Sequence, residues 1–131
     1  MTEKKENLLV DDAGQVIDLN NYASFEALVD LKNYRKTSTL LLEVMDNDLA
    51  PQAQTGDVLL LDTIGQFKGE GIYALDLKIT EQVREEQVLA YVQRQGYEFL
   101  LQKPGVEAPV RRLMPQQIKF LGKAIGVIKG K

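Results

Sequence analysis

The 131-residue sequence predicts a mainly β fold of twisted antiparallel sheets with short helical turns. Three observations carry that expectation. Residues 40–44 and 58–61 are short apolar runs of strand length, and the segment between them is rich in Asp, Asn, Gln, Gly and Pro, which favour turns. Gly71–Leu77, 88–95 and 97–102 follow as further strand-length segments, with Gly96 turning the chain between the last two. The stretch 118–128 closes the series as a long apolar strand, and its Gly122 and Gly126 mark a bulge or a close backbone approach.

Composition narrows the function. The length suits one domain with its own core, and 44% apolar and 27% charged residues are ordinary for a soluble globular chain. A net charge of −3 offers no electrostatic case for direct nucleic-acid binding. The chain has no Cys, so disulfides and thiolate metal sites are excluded. It has no His, which removes Ser-His-Asp triads, Cys-His dyads and ordinary zinc sites. No apolar run approaches the roughly 20 residues of a membrane helix. Residues 1–7 are charged and read as a flexible tail without the apolar core of a signal peptide, so a cytoplasmic location is expected.

Taken in order, residues 8–10 and 16–19 read as a hairpin around the turn formers Asp11, Asp12, Ala13 and Gly14. Residues 24–34 place Phe25, Leu28, Val29 and Leu31 at a spacing that predicts a short helix, with Ser24 as its N-cap. Lys32, Arg35 and Lys36 read as a solvated face. Residues 39–45 form a strand whose continuous Leu40, Leu41 and Leu42 imply burial on both faces. Leu49, Ala50 and Pro51 make a single turn. Asp48 before it is placed to accept hydrogen bonds from free amide N–H groups. Residues 64–71 are a Gly-rich hairpin connection without the Gly-Lys-Ser/Thr of a phosphate loop. Residues 78–87 read as a charged, extended loop. Residues 103–115 are irregular, with Pro104, Pro109 and Pro115, and Arg111 and Arg112 read as salt-bridge partners on the surface.

The loop between the first two apolar runs carries a resemblance. Asp46-Asn47-Asp48-Leu49-Ala50-Pro51, then Gly56-Asp57, then Val58-Leu59-Leu60-Leu61-Asp62, resembles the nucleophile segment of the self-cleaving LexA, phage CI repressor and UmuD family. That family shows Gly-Asp-Ser-Met-x-Pro, a Gly-Asp pair and an apolar strand ending in Asp. Here Asp48 stands at the Ser position and Asp46 at the Gly. The resemblance covers about residues 39–130, and Val16-Ile17-Asp18-Leu19-Asn20 resembles the same region of UmuD-like chains. It implies a LexA/signal-peptidase-like C-terminal domain over residues 1–131, with 39–130 as the best-matching core. Tyr91-Val92-Gln93-Arg94 is similar to the segment that carries the family's general-base Lys, with Gln93 at that position; a slip of one residue puts Val92 or Arg94 there. Ala13-Gly14 matches the type of bond the family cuts, beside its plainer reading as a turn. The terminal strand contributes to dimer contacts in the family, which points to Phe120, Leu121, Ile125, Val127 and Ile128 as oligomerisation residues.

The family's reaction needs a Ser alkoxide generated by a neutral, buried Lys. Asp48 is a far weaker nucleophile and Gln93 accepts no proton at a useful pH, so the resemblance implies a catalytically degenerate member that does not cleave itself. A hydrogen bond between Asp48 and Gln93 is chemically allowed. Ser24 and Ser38, the only serines, lie in no nucleophile setting. Asp46, Asp48 and Asp57 present the oxygen ligands that Mg²⁺ or Ca²⁺ takes, but acidic loops are commonly just solvated, and no metal or cofactor is expected. The function expected is a non-catalytic oligomerisation domain of a phage-type repressor, touching DNA only through a separate head domain. The alternatives are a stand-alone UmuD-like accessory protein partnering a polymerase or a repressor, and an active self-processing peptidase.

Overall fold

A computed structural model describes residues 8–34, 38–78 and 86–131. The expected tail at 1–7, most of the charged loop at 78–87, and Arg35 and Lys36 lie outside the described residues. The fold is mainly β and antiparallel. Its strands are β1 (Leu8–Val10), β2 (Val16–Asp18), β3 (Tyr22–Ala27), β4 (Thr39–Glu43), β5 (Val58–Asp62), β6 (Gly71–Leu77), β7 (Glu86–Gln95), β8 (Glu98–Gln102), β9 (Arg111–Leu113) and β10 (Ile118–Gly130). Short 3-10 turns at Leu19–Asn21, Leu31–Asn33 and Pro115–Gln117 are the helical elements among the described residues.

The β1–β2 hairpin stands apart, and the other eight strands form one sheet in the order β4-β5-β10-β6-β7-β8-β9, with β3 also on β10. β10 is the spine. Along one side it pairs with β5; along the other it pairs first with β6 and then, past Gly126, with β3. Register shifts near Gly122 and Gly126 let the strand bend between these partners, as glycines inside a strand suggested.

Both faces of the sheet are covered, which is why the apolar runs in β5, β6 and β10 are nearly continuous. Ile72 and Ala74 of β6 face one core with Val44, Leu49, Leu59 and Val127. Tyr73, Leu75 and Leu77, at the alternate positions, face a second core with Val92, Phe99 and Leu101. There Phe67, Tyr73, Phe99 and Phe120 form an aromatic cluster with centroids 5.2–6.1 Å apart. Each such pair is worth about 0.5–1.5 kcal/mol beyond its buried area. The β1–β2 hairpin lays Leu9 and Ile17 over Leu41, Val58 and Ile128.

Three expectations are corrected. Residues 22–27 are strand β3, not the start of a helix capped by Ser24. Of Phe25, Leu28, Val29 and Leu31, only Phe25 lies within β3, so the helical spacing was carried by residues beyond the strand, and pairing with β10, about a hundred residues later, decides residues 22–27. A strand, β9, breaks the irregular stretch 103–115 by pairing with β8. Finally, the oligomerisation residues expected on the terminal strand lie on β10, which is paired along both sides. Ile125, Val127 and Ile128 are at most 1% exposed inside the chain's own core, Phe120 belongs to the aromatic cluster, and Leu121 is half-buried. The side chains of Ile125, Val127 and Ile128 are therefore covered within the chain itself and present no contact surface, while Phe120 and Leu121 keep partial exposure.

Candidate functional site

The loop between β4 and β5 is built from its own carboxylates. Asp46 Oδ1 accepts the Asp48 N–H at 3.1 Å, and Asn47 Oδ1 accepts the Thr55 N–H at 2.9 Å. The Asp57 carboxylate ties the loop to the sheet: its oxygens accept from Gly130 N at 2.8 Å and Gln54 N at 2.9 Å, and Lys129 Nζ lies 3.2 Å away. Burial pushes the Asp57 carboxyl up, but the Gly130 and Gln54 amides and the Lys129 ammonium outweigh it, and the group ends below the ordinary 3.8. Gly56 has φ +96°, a conformation that L side chains resist. The Gly-Asp pair therefore has a structural task, turning the chain and fastening it to the end of β10.

Among the described residues no amide donates to the Asp48 carboxylate; that role falls to Asp46. Instead Asp48 Oδ2 lies 3.5 Å from Lys103 Nζ, and its carbonyl accepts the Gly105 N–H at 2.7 Å. A Cβ on Gly105 would overlap the Asn47 carbonyl and stand 2.9 Å from the Ala50 nitrogen. Only glycine lets the turn after β8 lie backbone to backbone on the loop that holds Asp48.

Gln93 sits on β7 in a different network. It donates to Glu70 Oε1 at 3.4 Å and accepts from Gln102 Nε2 at 3.1 Å, while the Tyr91 hydroxyl donates to Glu70 Oε2 at 2.6 Å. That hydrogen bond, burial and the Glu70 charge push the Tyr91 phenol up. Among the described residues no hydrogen bond joins Asp48 to Gln93, against the pairing that their chemistry allowed. The two positions reach consecutive residues at the end of β8, Lys103 and Gln102, rather than each other.

Asp48 borders a groove of about 550 Å³ with Lys103, Glu43 and Asp46 at its polar rim and Leu42, Met45, Leu89 and Leu121 among its apolar walls. Gln93 does not line it, nor do Ala13 and Gly14. Those two residues form the hairpin turn at the margin of β4. Asp11 Oδ2 accepts from Leu41 N at 2.8 Å, and Asp11 Oδ1 accepts from Ala13 N and Gln15 N at 3.0 and 2.8 Å. Asp12 exchanges backbone and carboxylate bonds with Thr39, and the Gln15 amide donates to the Leu41 carbonyl at 3.1 Å. The Leu41 amide above all, then Gln15 and its neighbours, hold the Asp11 carboxyl below its ordinary 3.8 against the opposing effect of burial.

Two residues that sequence reasoning passed over matter here. Lys123 is 3% exposed, and its ammonium donates to Lys68 O at 2.6 Å, Tyr34 Oη at 3.0 Å and Gly69 O at 3.4 Å. It binds the β5–β6 connection to β10, and a Cβ on Gly71 would stand 2.8 Å from its Cε. Asp11 is the other; its place before Ala13 and Gly14 signalled a turn, but not the reach across to β4. Arg112 pairs with Glu98 at 3.1 Å, the surface salt bridge expected of it. No helix among the described residues is long and apolar enough to cross a membrane. In comparison with known proteins, no family model and no curated sequence matches the chain.

Proposed function

We propose that the chain is a non-catalytic self-association domain of the kind found at the C-terminal end of LexA and CI-type repressors. One observation carries this reading. The position at which the resembling family holds its nucleophile is a packed, ion-paired Asp48, fixed between Lys103 and the Gly105 amide. Gln93, at the general-base position, is engaged by Glu70 and Gln102. A carboxylate at the nucleophile position supplies no alkoxide, and an amide at the base position accepts no proton. What such a framework offers is a rigid surface. Two copies joined through it would raise the effective concentration of attached DNA-binding heads at neighbouring operators without new chemistry.

Sedimentation velocity across the micromolar range tests the reading. A concentration-dependent dimer or larger species is expected, and a strict monomer at the highest concentration overturns it. Incubation at alkaline pH followed by gel electrophoresis checks the chemical half. The chain is expected to stay whole, and a cut at Ala13-Gly14 would restore the peptidase alternative.

A further inference from the structure

The resemblance placed self-association at the terminal strand, yet the margin of β10 past Gly126 is filled by β3 of the same chain. Filling it moves the free margin outward by one strand. The register between β3 and β10 shows which groups that margin offers. Leu28 N donates to Ile125 O at 2.9 Å, so this pair is hydrogen-bonded. Alternation along an antiparallel ladder then turns the backbone groups of Glu26 and Ser24 toward β10, and those of Phe25 and Ala27 away from it, while the register shift between Lys129 and Gly130 leaves Ala23 without a β10 partner. Among the described residues β3 pairs with no other strand. Residues 23–27 are all exposed, Phe25 by 43%, and the segment has neither the Pro nor the Lys that commonly protects such a margin.

Resting on the self-association reading, we propose that β3 is the dimer surface, pairing antiparallel with β3 of a second copy about a two-fold axis through Phe25. The sequence Ala23-Ser24-Phe25-Glu26-Ala27 is nearly the same read in either direction about that point. Its own reverse therefore fits it. Phe25 faces Phe25 of the second copy, Ala23 faces Ala27, and Glu26 faces Ser24 rather than another Glu. The outward residues Phe25 and Ala27 find hydrogen-bonding partners in this register, Ala27 against the Ala23 that β10 leaves unpaired. A shift of the axis to Ser24 leaves Ala27 out of the ladder, and a shift to Glu26 sets two like charges opposite each other. A self-complementary strand of this kind gives a closed, isologous contact. Eight strands in each copy would join into one continuous sheet.

The absence of native Cys makes the register directly testable. Facing residues of a hydrogen-bonded antiparallel pair have Cα atoms about 5.5 Å apart, within disulfide range. An equimolar mixture of Ala23→Cys and Ala27→Cys chains is expected to form a disulfide dimer on mild oxidation, while each variant alone does not. Separately, Ala27→Pro removes an outward N–H and leaves the β10 ladder untouched. It is expected to weaken dimerisation by about tenfold or more, from two lost hydrogen bonds per dimer. Amide exchange in β10 should stay unchanged. A dimer that Ala27→Pro does not weaken, or whose cysteine mixture does not cross-link, overturns β3 as the surface and leaves self-association standing. A monomeric parent chain overturns both. Cross-linking of Ala23→Cys alone, as strong as in the mixture, overturns the axis at Phe25.

Discussion

β4 and β3 both lie at the margin of the sheet, and the chain treats them in opposite ways. At β4, two carboxylates and an amide from one hairpin take up the backbone groups of Thr39 and Leu41. Nothing further can add to those groups without displacing Asp11, Asp12 or Gln15. At β3, the outward groups of Phe25 and Ala27 have no such partner among the described residues. Three turn residues can thus close a strand margin as effectively as another strand would. Where they are missing, the margin keeps its capacity to bind.

Removing the closure at β4 should have the largest effect. Asp11→Ala deletes the acceptor for the Leu41, Ala13 and Gln15 amides, and unsatisfied amides at a part-buried site are costly. The thermal midpoint is expected to fall by several degrees, with new, irregular association visible by light scattering. A variant that melts and scatters like the parent would show that β4 is closed by something else.

Loosening β3 should cost less. A Cβ at Gly126 would overlap the Phe25 ring, which can swing outward into solvent. Gly126→Ala is therefore expected to destabilise the chain by about 1 kcal/mol, at the low end for overpacking, and to speed amide exchange in residues 22–27 first. Uniform loss of protection across the sheet would mean that β3 and the rest of the sheet unfold as one unit.

Acid should act on the closed margin more than on the open one, with the smallest effect of the three. Asp11 and Asp57 both have folded pKa values below 3.8. The unfolded chain therefore binds protons more readily, and their contribution is complete above 3.8 and lost as pH falls through the lowered folded values. The thermal midpoint should decline below about pH 4, and Asp11→Asn should flatten that slope. An equally steep decline in the variant would move the effect to other carboxylates.

Legibility in the sequence followed the range of the interaction concerned. β6 was readable to the residue because Gly71 opens it and its apolar run needs no distant partner to make sense. The hairpin at Asp11 to Gly14 was readable from turn chemistry alone. β3 was misread because the helical spacing over 24–34 rested mainly on Leu28, Val29 and Leu31, which lie beyond the strand, and because its stabilising partner lies at the other end of the chain. The same distance hid the interior position of Ile125, Val127 and Ile128, since an apolar strand looks alike at a sheet's centre and at a dimer contact. At the site, the Asp48 and Gln93 substitutions could be read off. Their actual partners, Lys103, Glu70 and Gln102, could not, because side-chain reach across a sheet leaves no trace in local spacing.

The place of β10 in the wiring has a consequence for biosynthesis. β3, β5 and β6 leave the ribosome well before the strand that all three share. Until it emerges, each must wait with a bare flank, and the pairings that finally form join residues from 41 (Leu77–Ile118) to 108 (Tyr22–Gly130) positions apart. Such long closures are slow to find, so the nascent chain passes through an interval in which its unpaired strands are exposed to aggregation.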